Sequence, residues 1–91
     1  MNAMWILKNG STSVDCTSFP YAFRTAYNLI RKAIEAKQDA SAVIKGISIV
    51  GPPGPRNERT TYSYAAAKQM AEGMGLLTPD GQINSREFKR R

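Results

Sequence analysis

The residues best suited to chemistry lie between Gly51 and Tyr64, in the run GPPGPRNERTTYSY. Arg56, Arg59, Tyr62 and Tyr64 interleave guanidinium groups with aromatic rings. Guanidinium groups contact phosphates and aromatic faces stack bases, a pairing suited to single-stranded nucleic acid. Tyr62 has a competing reading, because its spacing with Ala66 and Met70 also suits the buried side of a helix. Tyr64 falls off that side and is the expected exposed aromatic. The end of the chain adds Lys89, Arg90 and Arg91, and a second basic set, Arg24, Arg31 and Lys32, lies with Asn28 on one face of an expected helix. A solvated helix face or a solubilising terminus has the same composition, so each basic set reads either as a phosphate contact or as ordinary surface.

Other chemistries fit less well. The strand ISIV followed by GPPGPRNERTT invites a phosphate-loop reading. That loop requires a second glycine, a lysine and a serine or threonine where Arg56, Asn57 and Glu58 stand, and three prolines remove amide donors that would cradle phosphate. With no histidine and one cysteine, a zinc site has no ligand set. Cys16 also lacks a histidine to activate it and reads as a small buried residue. The acids Asp15, Glu35, Asp39, Glu58, Glu72 and Asp80 are scattered, without a spacing that pairs two carboxylates on one helix face. Pro52-Pro53-Gly54-Pro55-Arg56 is a short candidate polyproline ligand. The run AKQMAEGMGLLTPDGQI has the cadence of a recognition helix followed by a wing, but the proline loop occupies the place of the helix that should precede it.

The charge points the same way as the arginines. The net charge is +6, from 13 basic and 7 acidic residues. The last six residues hold four basic residues and one acid, so half of the excess is terminal. A positive surface favours polyanions, either nucleic acid or an acidic protein. A chain of 91 residues buries a small core, which disfavours an enclosed cofactor site. The single cysteine suits a reducing compartment, no apolar run reaches membrane-spanning length, and the N-terminus is not a secretory signal, so the cytoplasm is the expected location.

Positioning these residues requires a small sheet and one long helix. From Ser18 to Lys37, apolar residues recur at Phe19, Ala22, Phe23, Ala26, Tyr27, Ile30, Ala33 and Ile34, the three-and-four spacing of a helix face. Ser18 is the expected N-cap and Pro20 fits the first turn. Before it, Met4 to Lys8 reads as a strand, and Asn9-Gly10 predicts a hairpin with a type I′ turn. That turn would set Lys8 opposite Ser11, Leu7 opposite Thr12, Trp5 opposite Val14 and Ala3 opposite Cys16. Ile47–Val50 reads as a third strand, antiparallel to the first and beside it. Ala42 to Lys45 suits a helical turn or a strand equally. Residues 51–60 form a long loop. Thr61 to Glu72 reads as a second helix capped by Thr60 or Thr61, with Tyr62, Ala65, Ala66, Met70 and Met74 on its apolar side, ended by Gly73 and Gly75. Leu76-Leu77 and Gln82–Asn84 flank a turn at Thr78–Gly81.

The sequence therefore predicts one α+β domain over 1–85 and a basic tail over 86–91. Its core is expected to hold Trp5, Leu7, Val14, Phe23, Tyr27, Ile30, Ile34, Ile47 and Ile49. The favoured function is a non-enzymatic binding protein without cofactor or membrane partner, contacting nucleic acid through Arg56, Arg59, Tyr64, Lys89, Arg90 and Arg91, with Arg24, Arg31 and Lys32 as a secondary basic face. The competing reading is a protein-interaction module, or a homodimer formed through an open sheet edge.

Overall fold

The computed structural model describes residues 4–84. Its architecture is α+β, with helices on one face of an antiparallel sheet. The chain opens with β1 (Trp5–Asn9) and β2 (Thr12–Cys16), joined by Gly10-Ser11. Only Gly10 takes a left-handed conformation there, with φ of 63°. One left-handed residue at the first central position is the type II′ pattern, whereas the expected type I′ turn needs two. Asn9 therefore stays in the strand opposite Thr12, Leu7 faces Val14 and Trp5 faces Cys16. Each partner is two residues away from its expected position. Two is the side-chain period of a strand, so the slip leaves Trp5, Leu7, Val14 and Cys16 on one face.

The long helix α1 (Phe19–Glu35) follows, with Pro20 in its first turn. Ser18 sits at the N-cap position in extended conformation, but its hydroxyl makes no capping bond. Phe19, Ala22, Phe23, Ala26, Ile30 and Ala33 are buried. The helix ends with Lys37 left-handed at φ of 61°, the Gln38 amide donating to the Ala33 carbonyl at 2.8 Å and the Lys37 amide to the Ile34 carbonyl at 3.0 Å. The undecided segment is helical: α2 (Ala40–Lys45) is capped by Asp39, whose carboxylate accepts from the Ser41 amide at 3.0 Å.

β3 (Ile47–Val50) pairs antiparallel with β1, as the sequence predicts. The 51–60 loop is the long connection of a second hairpin, closed by the Gly51 amide donating to the Thr60 carbonyl at 2.8 Å and the Gly54 amide to the Glu58 carbonyl at 2.7 Å. Beyond it, Thr61 does not begin a helix. Residues Thr61–Ser63 form β4, paired with β3, giving the sheet order β2-β1-β3-β4. A threonine and a tyrosine in alternation suit a pleated edge. Helix α3 (Tyr64–Gly73) starts three residues later than expected, with the Ser63 hydroxyl accepting from the Ala66 amide at 3.2 Å. Its buried positions are Ala67 and Ala71, while Ala65 and Met74 lie outside, contrary to the expected apolar side.

Gly75 at φ of 77° ends α3 in a Schellman arrangement: the Leu76 amide donates to the Ala71 carbonyl at 2.9 Å and the Gly75 amide to the Glu72 carbonyl at 3.2 Å. Leu77 then bridges Ile83 around the 78–81 turn, where the Gly81 amide donates to the Thr78 carbonyl at 2.9 Å.

Leu7, Ile47 and Ile49 from the sheet meet the apolar sides of α1 and α3 in one core. Aromatic rings run through it. Trp5 meets Phe19 edge-on at 5.3 Å, Phe19 stacks on Phe23 at 6.2 Å, and Phe23 stacks on Tyr64 at 5.7 Å. Two expected core residues are corrected. Val14 is 41% exposed because β2 is an edge strand, and Ile34 is 50% exposed in the last turn of α1. Trp5 and Tyr27 are half-buried at the margin of the core.

Candidate functional site

The fold separates the arginine–tyrosine set of residues 56–64. Arg59 donates from Nη1 to the Met4 carbonyl at 3.3 Å and to the Gly51 carbonyl at 3.2 Å, tying the long loop to the neighbouring strand ends. Arg56 lies exposed in the loop, where its amide donates to the Glu58 carboxylate at 3.0 Å. Tyr62 points to the helix side of the sheet, opposite Ile49, and stacks on Trp5 at 6.3 Å. Tyr64 is not the exposed aromatic that its sequence position implied. It is half-buried, with its ring nearly parallel to Phe23 at 12°. Burial pushes its hydroxyl pKa above the usual tyrosine value, and Tyr27 adds to the rise. The reason is the late start of α3: Tyr64 becomes the first helical residue, one turn before buried Ala67. Lys89, Arg90 and Arg91 lie outside the described residues.

The secondary set fares differently. Arg24, Arg31 and Lys32 line one open groove of about 460 Å³ between α1 and the turn after α3, together with Tyr27, Asn28, Glu35, Gln82 and Ile83. Spacings of three, four and seven along α1 place these side chains on one flank, spread over about 16 Å of helix axis. Three cations face one carboxylate, Glu35, so the groove is electropositive. The Arg24 guanidinium lies 5.2 Å from the centre of the Tyr21 ring, a cation–π contact that orients it. Arg31 and Lys32 are exposed.

The second wall of the groove is set from within the fold. Tyr27 packs on Phe23 at 6.4 Å and donates its hydroxyl proton to the Gly81 carbonyl at 3.4 Å. The Thr78 amide donates to the Gln82 carbonyl at 2.7 Å, and the Asn84 amide to the Leu76 carbonyl at 2.8 Å. These bonds place Gln82 and Ile83 across from α1. From its spacing Tyr27 reads as core alone, and the 78–83 turn reads at most as the wing of a recognition helix; no local signal places that turn against the basic flank of a helix more than forty residues upstream.

Cys16 is buried, and that burial is the main cause of a thiol pKa raised above its usual value. A raised pKa withholds the reactive thiolate. Among the described residues, no group of three or more acidic, cysteine or histidine side chains could hold a metal ion, and no helix is long and apolar enough to cross a membrane. Comparison of the chain with protein-family models, with curated proteins and with solved structures returns no match.

Proposed function

We propose that this chain is a non-enzymatic module that binds the phosphate backbone of nucleic acid along the α1 groove. The observation that carries the reading is the convergence of Arg24, Arg31 and Lys32 on one open groove, with half-buried Tyr27 in its lining. Phosphates recur along a strand, and cations recurring along one helix flank can meet several at once. The non-enzymatic part rests on the absence of histidine in the sequence and on a single buried thiol held above its usual pKa. A lone unpaired cysteine suits the reducing cytoplasm. An acidic protein is the competing partner for the same cations.

The test is a titration with labelled single- and double-stranded oligonucleotides at two salt concentrations. Binding should weaken with salt, the slope of log K against log salt being about −0.7 per phosphate contacted on single strands. Replacing both Arg31 and Lys32 by alanine should make that slope shallower by about 1.4 and leave the fold unchanged. Absence of binding at low salt overturns the nucleic-acid reading and leaves the acidic protein in front.

A further inference from the structure

The outer edge of the sheet is β2, and its free hydrogen-bonding groups can be identified. In an antiparallel ladder, successive residues direct their N–H and C=O groups to opposite sides. The two-residue turn makes Asn9 and Thr12 a hydrogen-bonded pair, so Thr12, Val14 and Cys16 bond toward β1. The Gly10 amide fits this alternation, because it donates the other way, to the Gly46 carbonyl at 3.1 Å. Ser13 and Asp15 therefore direct their backbone groups outward, and neither has a backbone partner there among the described residues. Edge strands are commonly protected by lysine, proline or a bulge. The strand TSVDC holds neither residue and has Asp15 as its one charge, it pairs without interruption, and Val14 is 41% exposed.

We propose that β2 pairs antiparallel with β2 of a second copy of this chain, about a two-fold axis through Val14. The outward groups belong to Ser13 and Asp15, so only registers that pair these with one another make hydrogen bonds. Three exist, and charge separates them. Ser13 opposite Ser13 aligns Lys8 of each copy in one row on the same face, because Lys8 is the cross-strand partner of Ser13. Asp15 opposite Asp15 sets like charges directly across the interface. Ser13 opposite Asp15 of the second copy makes four backbone hydrogen bonds. It also places that Asp15 in the row of Ser13 and Lys8, about 10 Å from Lys8 and within the combined reach of the two side chains. Two-fold symmetry repeats the pair. The same register brings Val14 against its own copy in a non-hydrogen-bonded pair, where side chains approach most closely. The product is a continuous eight-stranded sheet, extended from the edge opposite β4.

Sedimentation equilibrium over a range of concentrations tests this. Wild-type protein should show a reversible monomer–dimer equilibrium. Val14→Lys should weaken it by about tenfold or more, with an unchanged circular dichroism spectrum because the side chain is already exposed at the edge. Lys8→Asp and Asp15→Lys should each weaken it by about fivefold, and the double exchange should restore it. In a Cys16→Ala background, Val14→Cys should form a reducible cross-linked dimer, since paired Cα atoms about 4.5 Å apart lie within disulfide reach. Ile34→Cys, on the far end of α1, should not. A monomer at every concentration overturns the proposal. So does a dimer indifferent to Val14→Lys, or one whose double charge exchange is no better than either single change.

Discussion

Two regions of this molecule place arginine beside tyrosine. In the 56–64 segment, Arg59 is bonded to two backbone carbonyls, Tyr62 lies against Trp5, and Tyr64 lies against Phe23. In the α1 groove, Arg24, Arg31 and Lys32 line one flank and Tyr27 holds the opposite wall through Gly81. The residue types are alike and their use differs. The first region uses Arg59 and its rings to attach a ten-residue connection to the sheet and core; the second presents Arg31 and Lys32 to solvent. What separates them is that Arg59 is committed to two backbone carbonyls, whereas Arg31 and Lys32 are exposed on an open helix flank. A guanidinium that bonds carbonyls at a strand end is held for structure, whereas cations along an open helix flank can exchange water for phosphate.

Substitutions in the first region should cost stability, and substitutions in the second should cost binding. The largest expected effect is at Tyr64. Tyr64→Ala should lower unfolding stability by about 2–3 kcal/mol, because it deletes a half-buried ring stacked on Phe23, and it should leave the salt dependence of oligonucleotide binding unchanged. Urea unfolding with a parallel binding titration measures both. Lost binding with intact stability would make Tyr64 a stacking residue and erase the contrast. Arg59→Ala should cost about 1 kcal/mol by the same unfolding measurement, since two carbonyls lose a charged donor that water only partly replaces. Affinity for oligonucleotide should move far less than in the Arg31 and Lys32 double variant.

The smallest effect is in alkali and sharpens the placement of Tyr64. Its folded pKa stands above the unfolded value of about 10, chiefly through burial. As pH rises through that value, the unfolded chain releases a proton that the folded chain retains. Stability from this group is therefore complete below pH 10 and declines as pH climbs toward the folded pKa. Tyr64→Phe should show a flatter decline above pH 10 than wild type in thermal unfolding. Identical alkaline limbs would mean that the Tyr64 hydroxyl is as well solvated as in the unfolded chain.

The elements that local spacing determines were legible in the residues. The α1 stripe from Phe19 to Ala33, the hairpin at Gly10, the strand Ile47–Val50 beside β1 and the glycine end of α3 follow from periodicity, turn chemistry and β-branching acting over a few residues. The face of each hairpin strand survived a two-residue error in register because the strand repeat is also two. What tertiary structure alone decided lies at longer range. Thr61–Ser63 became a strand because β3 offered an unpaired edge, and that moved the start of α3 and turned Tyr64 into the core. Val14 was left exposed because no strand flanks β2 within the described chain. The basic flank of α1 was visible as a helical spacing. Its groove was not, because the opposite wall comes from residues 82–83, held there by one tyrosine hydroxyl and a left-handed glycine turn. Spacing along a chain reports which residues share a face, and only packing reports what stands across from that face.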